Sequence, residues 1–396
     1  MFGNDEGICN MISITPVISK QELREFIMLP YRLYKDDPNW VPPLISEQWK
    51  FFSPKKNPYY KHSEVMLFLA VENSRTIGRI SAHTNTQHNL EHKDQLGFFG
   101  FFECERNPVA ARLLFDAAYE WNRYRDRSGM RGPLNFSVNH DCGLLIDGFQ
   151  YPPSVMMTYN PPYYQELYET CGLSKAMDLY AYYSYRTEIP PRVVKAAELI
   201  QKRYNPQIRS LDKTSKKTLR SDLETVFEIY TKAWQYNWGF VPLTKDEFRQ
   251  LVDELLPIAD PDLVLIATVD GKPAGFSLAL PNYNEVLKVM NGRINPITLL
   301  KAYKAKKKIT SARVITMGVI KEFQQHGIDT LFYYHSFKNG IPKGLVHGEF
   351  SWVLENNEMM IRVAEMLQAE RYKTYRLYEK PITDSRSGMT SVKQDI

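Results

Sequence analysis

The chain has 396 residues, 43% of them hydrophobic and 24% charged, with a formal net charge of +5. That describes an ordinary globular protein long enough for two cored domains; it lacks the basic stripe of a nucleic-acid binder, and no apolar run approaches the roughly 18 residues needed to cross a bilayer. The opening MFGNDEGICNM carries no basic-then-apolar leader, and Cys9, Cys104, Cys142 and Cys171 have neither metal-like nor paired spacing, so free thiols in a reducing cytoplasm are the simplest expectation.

Residues 1–12 are expected to be mobile, and 22–34 read as the first helix. The turn-rich Asp36-Asp37-Pro38-Asn39-Trp40-Val41-Pro42-Pro43 follows, stiffened by proline. Strands are predicted at 67–72 and 77–80, and an amphipathic helix at 107–124, opened by Asn107-Pro108. The stretch 132–143 is polar where a buried strand should be apolar. By period two, Asn135, Ser137 and Asn139 share a face, and amides and hydroxyls are costly to bury unless satisfied. That face is either a hydrogen-bonded network holding two domains, or the loop 147–162, in place, or a ligand-recognition surface. Asn160-Pro161-Pro162 starts a helix running to Cys171, with Gly172 as its stop. The tyrosine-rich 180–185 alternates like the closing strand of a first domain. Ile189-Pro190-Pro191 marks a junction, and the helix 192–203 bridges onward.

In the second half, helices are predicted at 222–235 and 244–256, the latter with the capping box Thr244-x-x-Glu247. Between them Trp234, Trp238 and Phe240 either line an apolar pocket or cap the sheet. Strands follow at 263–268 and 274–277. The helix 299–309 carries Lys301, Lys304, Lys306, Lys307 and Lys308; a solvated face is the first reading, with a membrane-surface contact or an electrostatic funnel as alternatives.

The richest stretch is 313–338. Val314, Ile315, Met317 and Val319 make a strand, Gln324-Gln325-His326-Gly327 a turn, and Ile328, Leu331, Phe332 and His335 fall at helical spacing. Such a turn aims free N–H groups at a helix N-terminus, where the macrodipole favours an anion, and Gly327 permits close backbone approach. It is either an ordinary strand-to-helix turn or a pyrophosphate cradle for a nucleotide-bearing cofactor. The pattern also repeats. With Gly100 on Gly318, Leu113-Leu114-Phe115 falls on Leu331-Phe332-Tyr333, and Asn135-Phe136-Ser137-Val138 resembles Glu349-Phe350-Ser351-Trp352. Arg106 matches Gln324, but Val109 replaces Gly327, and a β-branched residue does not supply the close approach. The second copy is therefore expected to keep the loop and the first to have lost it.

The order Val319-x4-Gln324-x2-Gly327-x-Asp329 resembles the acetyl-CoA signature of the GNAT superfamily of acyltransferases, a strand followed by Arg/Gln-x-x-Gly-x-Gly/Ala. Downstream, the strand 349–356, the helix 358–369 and the strand 373–380 match the same fold, so the resemblance covers about 210–382. Asp329 departs from the pattern: its carboxylate either faces the phosphates or turns away as a first-turn acid. The resemblance implies an α/β fold of two tandem GNAT-like domains, each a central mixed, mostly antiparallel sheet flanked by helices. The N-terminal one would span 13–188 with a degenerate cofactor loop, 189–209 would bridge, the C-terminal one with the acyl-CoA loop would span 210–382, and 383–396 would be a disordered tail.

It further implies an N-acyltransferase that moves an acyl group directly from acetyl-CoA, or another acyl-CoA, to a primary amine of a small molecule or peptide. A non-catalytic CoA- or ligand-binding protein on the same fold is the alternative. Met317, Gly318 and Val319 would run beside the pantetheine, Gln324, Gln325, His326, Gly327, Ile328 and Asp329 would take the pyrophosphate, and Asn356 would touch the cofactor. The family's helix tyrosine is replaced by Val363 and Ala364, leaving Tyr372 and Tyr375 as substitute acids. Glu349 is the first choice of base and Glu355 the second, while His326, His335 and His347 read as structural. Trp238, Asn135, Ser137 and Asn139 are the candidate substrate contacts. No metal, nucleic-acid partner or stable membrane insertion is expected, and the chain would be a cytoplasmic monomeric pseudo-dimer or a homodimer.

Overall fold

Residues 11–383, Tyr236 excepted, are described in the computed structural model. The expected mobile N-terminus, apart from 11–12, and the expected tail, apart from 383, lie outside them. The first half runs β1 (Ile12–Pro16), α1 (Lys20–Leu33), α2 (Ile45–Phe51), β2 (Val65–Glu72), β3 (Arg75–His83), α3 (Thr86–His92), β4 (Leu96–Cys104), α4 (Pro108–Arg123), β5 (Gly129–Gly132), β6 (Leu134–Asn135), β7 (Asp141–Cys142), β8 (Leu144–Asp147), α5 (Tyr164–Thr170) and β9 (Ser174–Tyr185). The second runs α6 (Pro191–Tyr204), β10 (Gln207–Ser210), α7 (Lys216–Trp234), α8 (Lys245–Leu255), β11 (Val264–Val269), β12 (Lys272–Pro281), α9 (Asn284–Met290), α10 (Pro296–Lys306), β13 (Ser311–Val319), α11 (Ile328–Gly340), β14 (His347–Leu354), α12 (Glu358–Met366) and β15 (Glu370–Pro381).

Local chemistry fixes the helix starts. Ser19 and Glu22 form a capping box on α1, and Thr244 and Glu247 the expected one on α8. Asn107 caps α4 from the residue before Pro108, satisfying N–H groups that the first turn would leave open.

The strands join in one 13-stranded sheet in the order β1-β2-β3-β4-β5-β15-β9-β14-β13-β12-β11-β10, with β8 on β15. The repeat read from the sequence is visible in it. Strand β4, with Gly100, runs parallel to β5, and β13, with Gly318, runs parallel to β14; all other pairings in this sheet are antiparallel. The centre was not foreseen. β9, at the end of the first half, pairs with β14 of the second (Phe350↔Tyr182), and β15, at the end of the chain, pairs with β5 of the first (Tyr378↔Gly132). The two halves exchange their closing strands.

Side-chain alternation, shifted by one residue at the bulge where Ala274 of β12 stands between the partners of Ala267 and Thr268, assigns faces. On β11 and β12, Leu265, Ala267 and Ala274 pack with Ile328 and Phe332 of α11, whereas Ile266 and Phe276 pack with Val226, Ile229 and Tyr230 of α7. Helices α7 and α11 thus cover opposite faces. Residues 132–143, read as one polar strand, instead leave the main sheet at Pro133 and form only the short pair β6–β7. Polar side chains there bond backbone rather than a ladder: Asn135 Oδ1 accepts the Phe101 N–H at 2.7 Å and Ser137 Oγ the Asn139 N–H at 3.2 Å.

Candidate functional site

Each parallel pair comes apart partway along. β13 and β14 are paired from Ser311↔His347 to Val314↔Phe350 and then diverge, so the edge of Ile315–Val319 has no strand beside it. β4 and β5 do the same after Phe98↔Arg131. In the first half the chain fills the gap itself: Asn135 takes the Phe101 N–H, and a Cβ on Gly100 would sit 1.9 Å from the Leu134 carbonyl oxygen. In the second half the gap opens into a cavity of about 290 Å³, at the lower edge of the ~300–1,000 Å³ typical of small-molecule sites.

This cavity passes through the sheet. Val314 to Met317 and Phe350 to Leu354 form its rim; Trp234, Phe248, Leu251 and Leu255 of α7 and α8 line one side, and Tyr333 of α11 with Asn357 and Met360 the other. A third wall comes from the first half, where Val138, Asn139, His140 and Cys142 reach in. Most of the lining is apolar. Two polar atoms on the rim, Thr316 Oγ1 and Trp352 Nε1, are buried without a hydrogen-bond partner. An orphaned acceptor/donor and an orphaned donor beside an unpaired strand edge suit a ligand carrying amides.

The polar floor is a buried network. Arg313 is 2% exposed, and its guanidinium donates to Ser351 Oγ (2.8 Å), Ser351 O (3.1 Å), Val155 O (2.7 Å) and Met156 O (2.8 Å). Ser351 Oγ donates to Glu349 Oε1 at 2.6 Å, and Tyr372 OH donates to Glu349 Oε2 at 2.7 Å. Burial raises the Tyr372 and Tyr375 hydroxyl pKa values, and the Glu349 charge adds to both; burial lowers that of Arg313, which Glu349 opposes. Lys373, fully buried, donates to Pro152 O at 2.7 Å, and desolvation lowers its pKa to about 8. On the cavity wall, His140 Nδ1 lies 3.0 Å from Ser137 Oγ, and burial pushes its pKa down to about 4, leaving a neutral ring at pH 7.

Of the residues singled out in the sequence, Glu349 and Tyr372 meet in this network, but the carboxylate lies behind Ser351 rather than on the cavity lining. Tyr375 is buried beneath them with its hydroxyl unpartnered. Met317 lines the cavity, while Gly318 stands against Trp234, whose Nε1 would lie 2.8 Å from an added Cβ. Trp238 and Asn139 also line it, Asn139 being tied to Val241 O (2.9 Å) and Tyr230 OH (2.6 Å). Asn135 and Ser137 do not line it. Asn356 is exposed, and the next residue, Asn357, caps α12 and lines the cavity in its stead. Arg313, Ser351 and His140 were missed. The available signal was an arginine opening the apolar strand and a serine two residues past Glu349, hence on the same face.

The turn expected to hold an anion is covered at its glycine. Gln324 and Gln325 are exposed, the His326 ring lies 4.5 Å from that of Tyr204, and Ile328 is buried. Gly327 is left-handed (φ 68°), and a Cβ there would meet Ile200 Cδ1 of α6 at 2.5 Å. Asp329 stands in the first turn of α11, and burial raises its pKa. The N-terminus of α11 therefore already carries a carboxylate of the chain itself.

Two splayed parallel strand pairs in tandem, one plugged and one open, within a single sheet define a tandem GNAT-fold protein. The tandem GNAT protein from the clavulanic acid biosynthesis pathway superposes with a TM-score of 0.55 at 13% identity, covering 95% of this chain and 100% of that one. The GCN5-related glucosamine N-acetyltransferase region of a fungal multi-domain β-N-acetylglucosaminidase gives 0.56 at 10% identity, over 94% of this chain and 38% of that one. At such identities the likeness is one of fold. No family model matches the chain. Closer in sequence are the bacterial ceramide synthase of Caulobacter vibrioides, 38% identical over 378 residues (94% of this chain, 98% of that one), and protein YghO of Escherichia coli, 34% identical over 385 residues (94% and 97%). The chain belongs to the family of these two proteins, on the tandem GNAT fold.

Proposed function

We propose that the protein is an N-acyltransferase that moves a long acyl chain from a thioester of the acyl-CoA class to the primary amine of a long-chain amino alcohol. The observation that carries this reading is the apolar cavity crossing the sheet at the β13–β14 gap, with a hydrogen-bonded Ser351–Glu349–Tyr372 array at its floor. The relative named a ceramide synthase supports an amine that bears a long chain. An acetyl group needs no such volume, and a small peptide acceptor gains little from Leu251 and Leu255.

In this reading the unpaired edge of Ile315–Val319, with Thr316 Oγ1 and Trp352 Nε1, would hold the amide-bearing arm of the donor, and the acyl chain would extend toward α7 and α8. The amine nitrogen attacks the thioester carbonyl, the C–S bond breaks, and amide and thiolate leave, the thiolate taking back through Ser351 the proton the amine gave up. Ser351, touching the cavity, takes the amine proton as it passes its own to Glu349. Arg313, bonded to Ser351 Oγ at 2.8 Å and 4.0 Å from Glu349 Oε1, orients that hydroxyl toward the carboxylate. Of a CoA donor, the thioester arm fits the gap; the covered turn at Gly327 fits its pyrophosphate poorly. That second observation favours, as the alternative, a non-catalytic ligand-binding protein on the same fold.

Purified protein incubated with a long-chain acyl-CoA and a long-chain amino alcohol should yield the amide by mass spectrometry. Thioester binding by calorimetry with no amide across a panel of amines would favour the alternative.

A further inference from the structure

The helical hairpin α9–α10 stands out from the rest of the surface. Along α10 only Ala302 and Ala305 pack inward, on a small cluster with Val286, Met290 and Ile309. The residues that turn outward at its start are large and apolar: Ile294 is 54% exposed, Ile297 70%, Leu300 58% and Tyr303 60%. Around and after Tyr303 come Lys301, Lys304, Lys306, Lys307 and Lys308, all exposed. Lys306 and Lys307 rest over the rings of Tyr283 and Tyr303; Lys301, Lys304 and Lys308 pair with no carboxylate among the described residues. The tip is held rigidly to the body, since Gly292 O accepts the Ile45 N–H at 3.0 Å and Lys288 donates to Pro38 O at 2.5 Å.

The helix macrodipole accounts for lysines in the last turn. It does not account for isoleucine and leucine held in water through the first two turns, a patch that a monomeric protein ordinarily covers. An apolar tip with a collar of unpaired ammonium groups is complementary to one surface in particular, an anionic lipid bilayer. There the isoleucines and leucine enter the acyl boundary, and the lysines snorkel to headgroup phosphates with no desolvated carboxylate to compete. No helix among the described residues is long and apolar enough to cross a membrane, so the contact is interfacial. We infer that the α9–α10 hairpin is a membrane-docking element that seats Ile294, Ile297, Leu300 and Tyr303 in the interface of an anionic bilayer. The inference rests on this surface and not on the acyl-transfer reading, which can fail without it.

The test is flotation of the full chain with phosphatidylcholine vesicles, with and without phosphatidylglycerol. Wild type should float with the anionic vesicles, less so as salt rises. The pair Ile297→Glu and Leu300→Glu should weaken that binding tenfold or more. Replacing Lys301, Lys304 and Lys308 by Gln should weaken it about fivefold per lysine and flatten the salt dependence. Thermal melts of both variants check folding, and amide formation from solubilised substrates, unchanged in both, separates docking from chemistry. No flotation of wild type, or flotation indifferent to both sets of changes, would overturn the proposal. So would a wild-type dimer in sedimentation that Ile297→Glu and Leu300→Glu turn into monomer, because the face would then be covered by a second copy.

Discussion

Ser351 separates a working site from a packed core. Its hydroxyl links the cavity to the Glu349 carboxylate, donating to the acid at 2.6 Å while accepting from Arg313 at 2.8 Å. Ser351→Ala removes the link without removing a charge, so it should lower kcat by about 10²-fold or more with KM changed little. Unchanged kcat would rule out proton transfer through this hydroxyl. Glu349→Gln should lower kcat comparably and also destabilise the fold by about 3 kcal/mol, because buried Arg313 loses its nearest anion; urea unfolding measures that second effect. At this scale the sequence was half legible. Glu349 was singled out because a strand facing β13 was recognisable and Tyr372 because the helix tyrosine was missing, and the two meet in one hydrogen bond. Ser351, Arg313 and His140 escaped because their roles depend on which buried groups they meet, and no spacing records a meeting between residues 140, 313 and 351.

Among elements, the turn before α11 carries the sharpest lesson. Gly327 reads from the sequence as a place for a phosphate, yet Ile200 of α6 occupies the space a side chain would need there. Gly327→Ala should therefore cost about 1–3 kcal/mol whether or not any ligand binds, measured in urea, and is a poor reporter of cofactor binding. Ile200→Ala tests the covering directly: by calorimetry it should tighten CoA binding, and an unchanged affinity would show that Ile200 does not obstruct the anion. The elements around β3, α3 and β7 make a different forecast. Burial lowers the pKa of His83 to about 3, and of His88 and His140 to about 4, from an ordinary 6.5. The unfolded chain takes up these protons as pH falls below 6.5 while the folded one does not, so stability is complete above that pH and is lost on the way to about 4. For His83 alone the loss between pH 7 and 5 is roughly 2 kcal/mol, and His83→Gln should shrink the difference measured in urea at those two pH values by that amount. Helices with caps and a clean 3.6 period, such as α4 and α8, could be read to within a few residues. The polar 132–143 could not, because period two fits both a strand face and a loop whose side chains bond its own backbone.

For the whole molecule, the exchange of closing strands is what sequence reading could not reach. β9 and β15 are both long and tyrosine-rich, and nothing local tells either which neighbour to choose; only the assembled sheet, with β15 between β5 and β9, settles it. The exchange makes each half the scaffold of the other. Residues 1–188 expressed alone would leave the edges of β5 and β9 bare, and should give no cooperative melt, whereas co-expression with 189–396 should restore it. A sharp monomeric melt from 1–188 alone would contradict this. The exchange also draws the first half's Val138–Cys142 segment to the second half's cavity, so a half that has filled its own gap still supplies a wall to the other. The central claim, that this shared cavity selects a long acyl chain, is tested most directly by kcat/KM across acyl-CoA donors of increasing length with one long-chain amine held fixed. kcat/KM should climb with chain length and fall back toward the acetyl value in Leu251→Trp, which fills the α8 side. Acetyl-CoA used as well as the long donors, with Leu251→Trp indistinguishable from wild type, would contradict it.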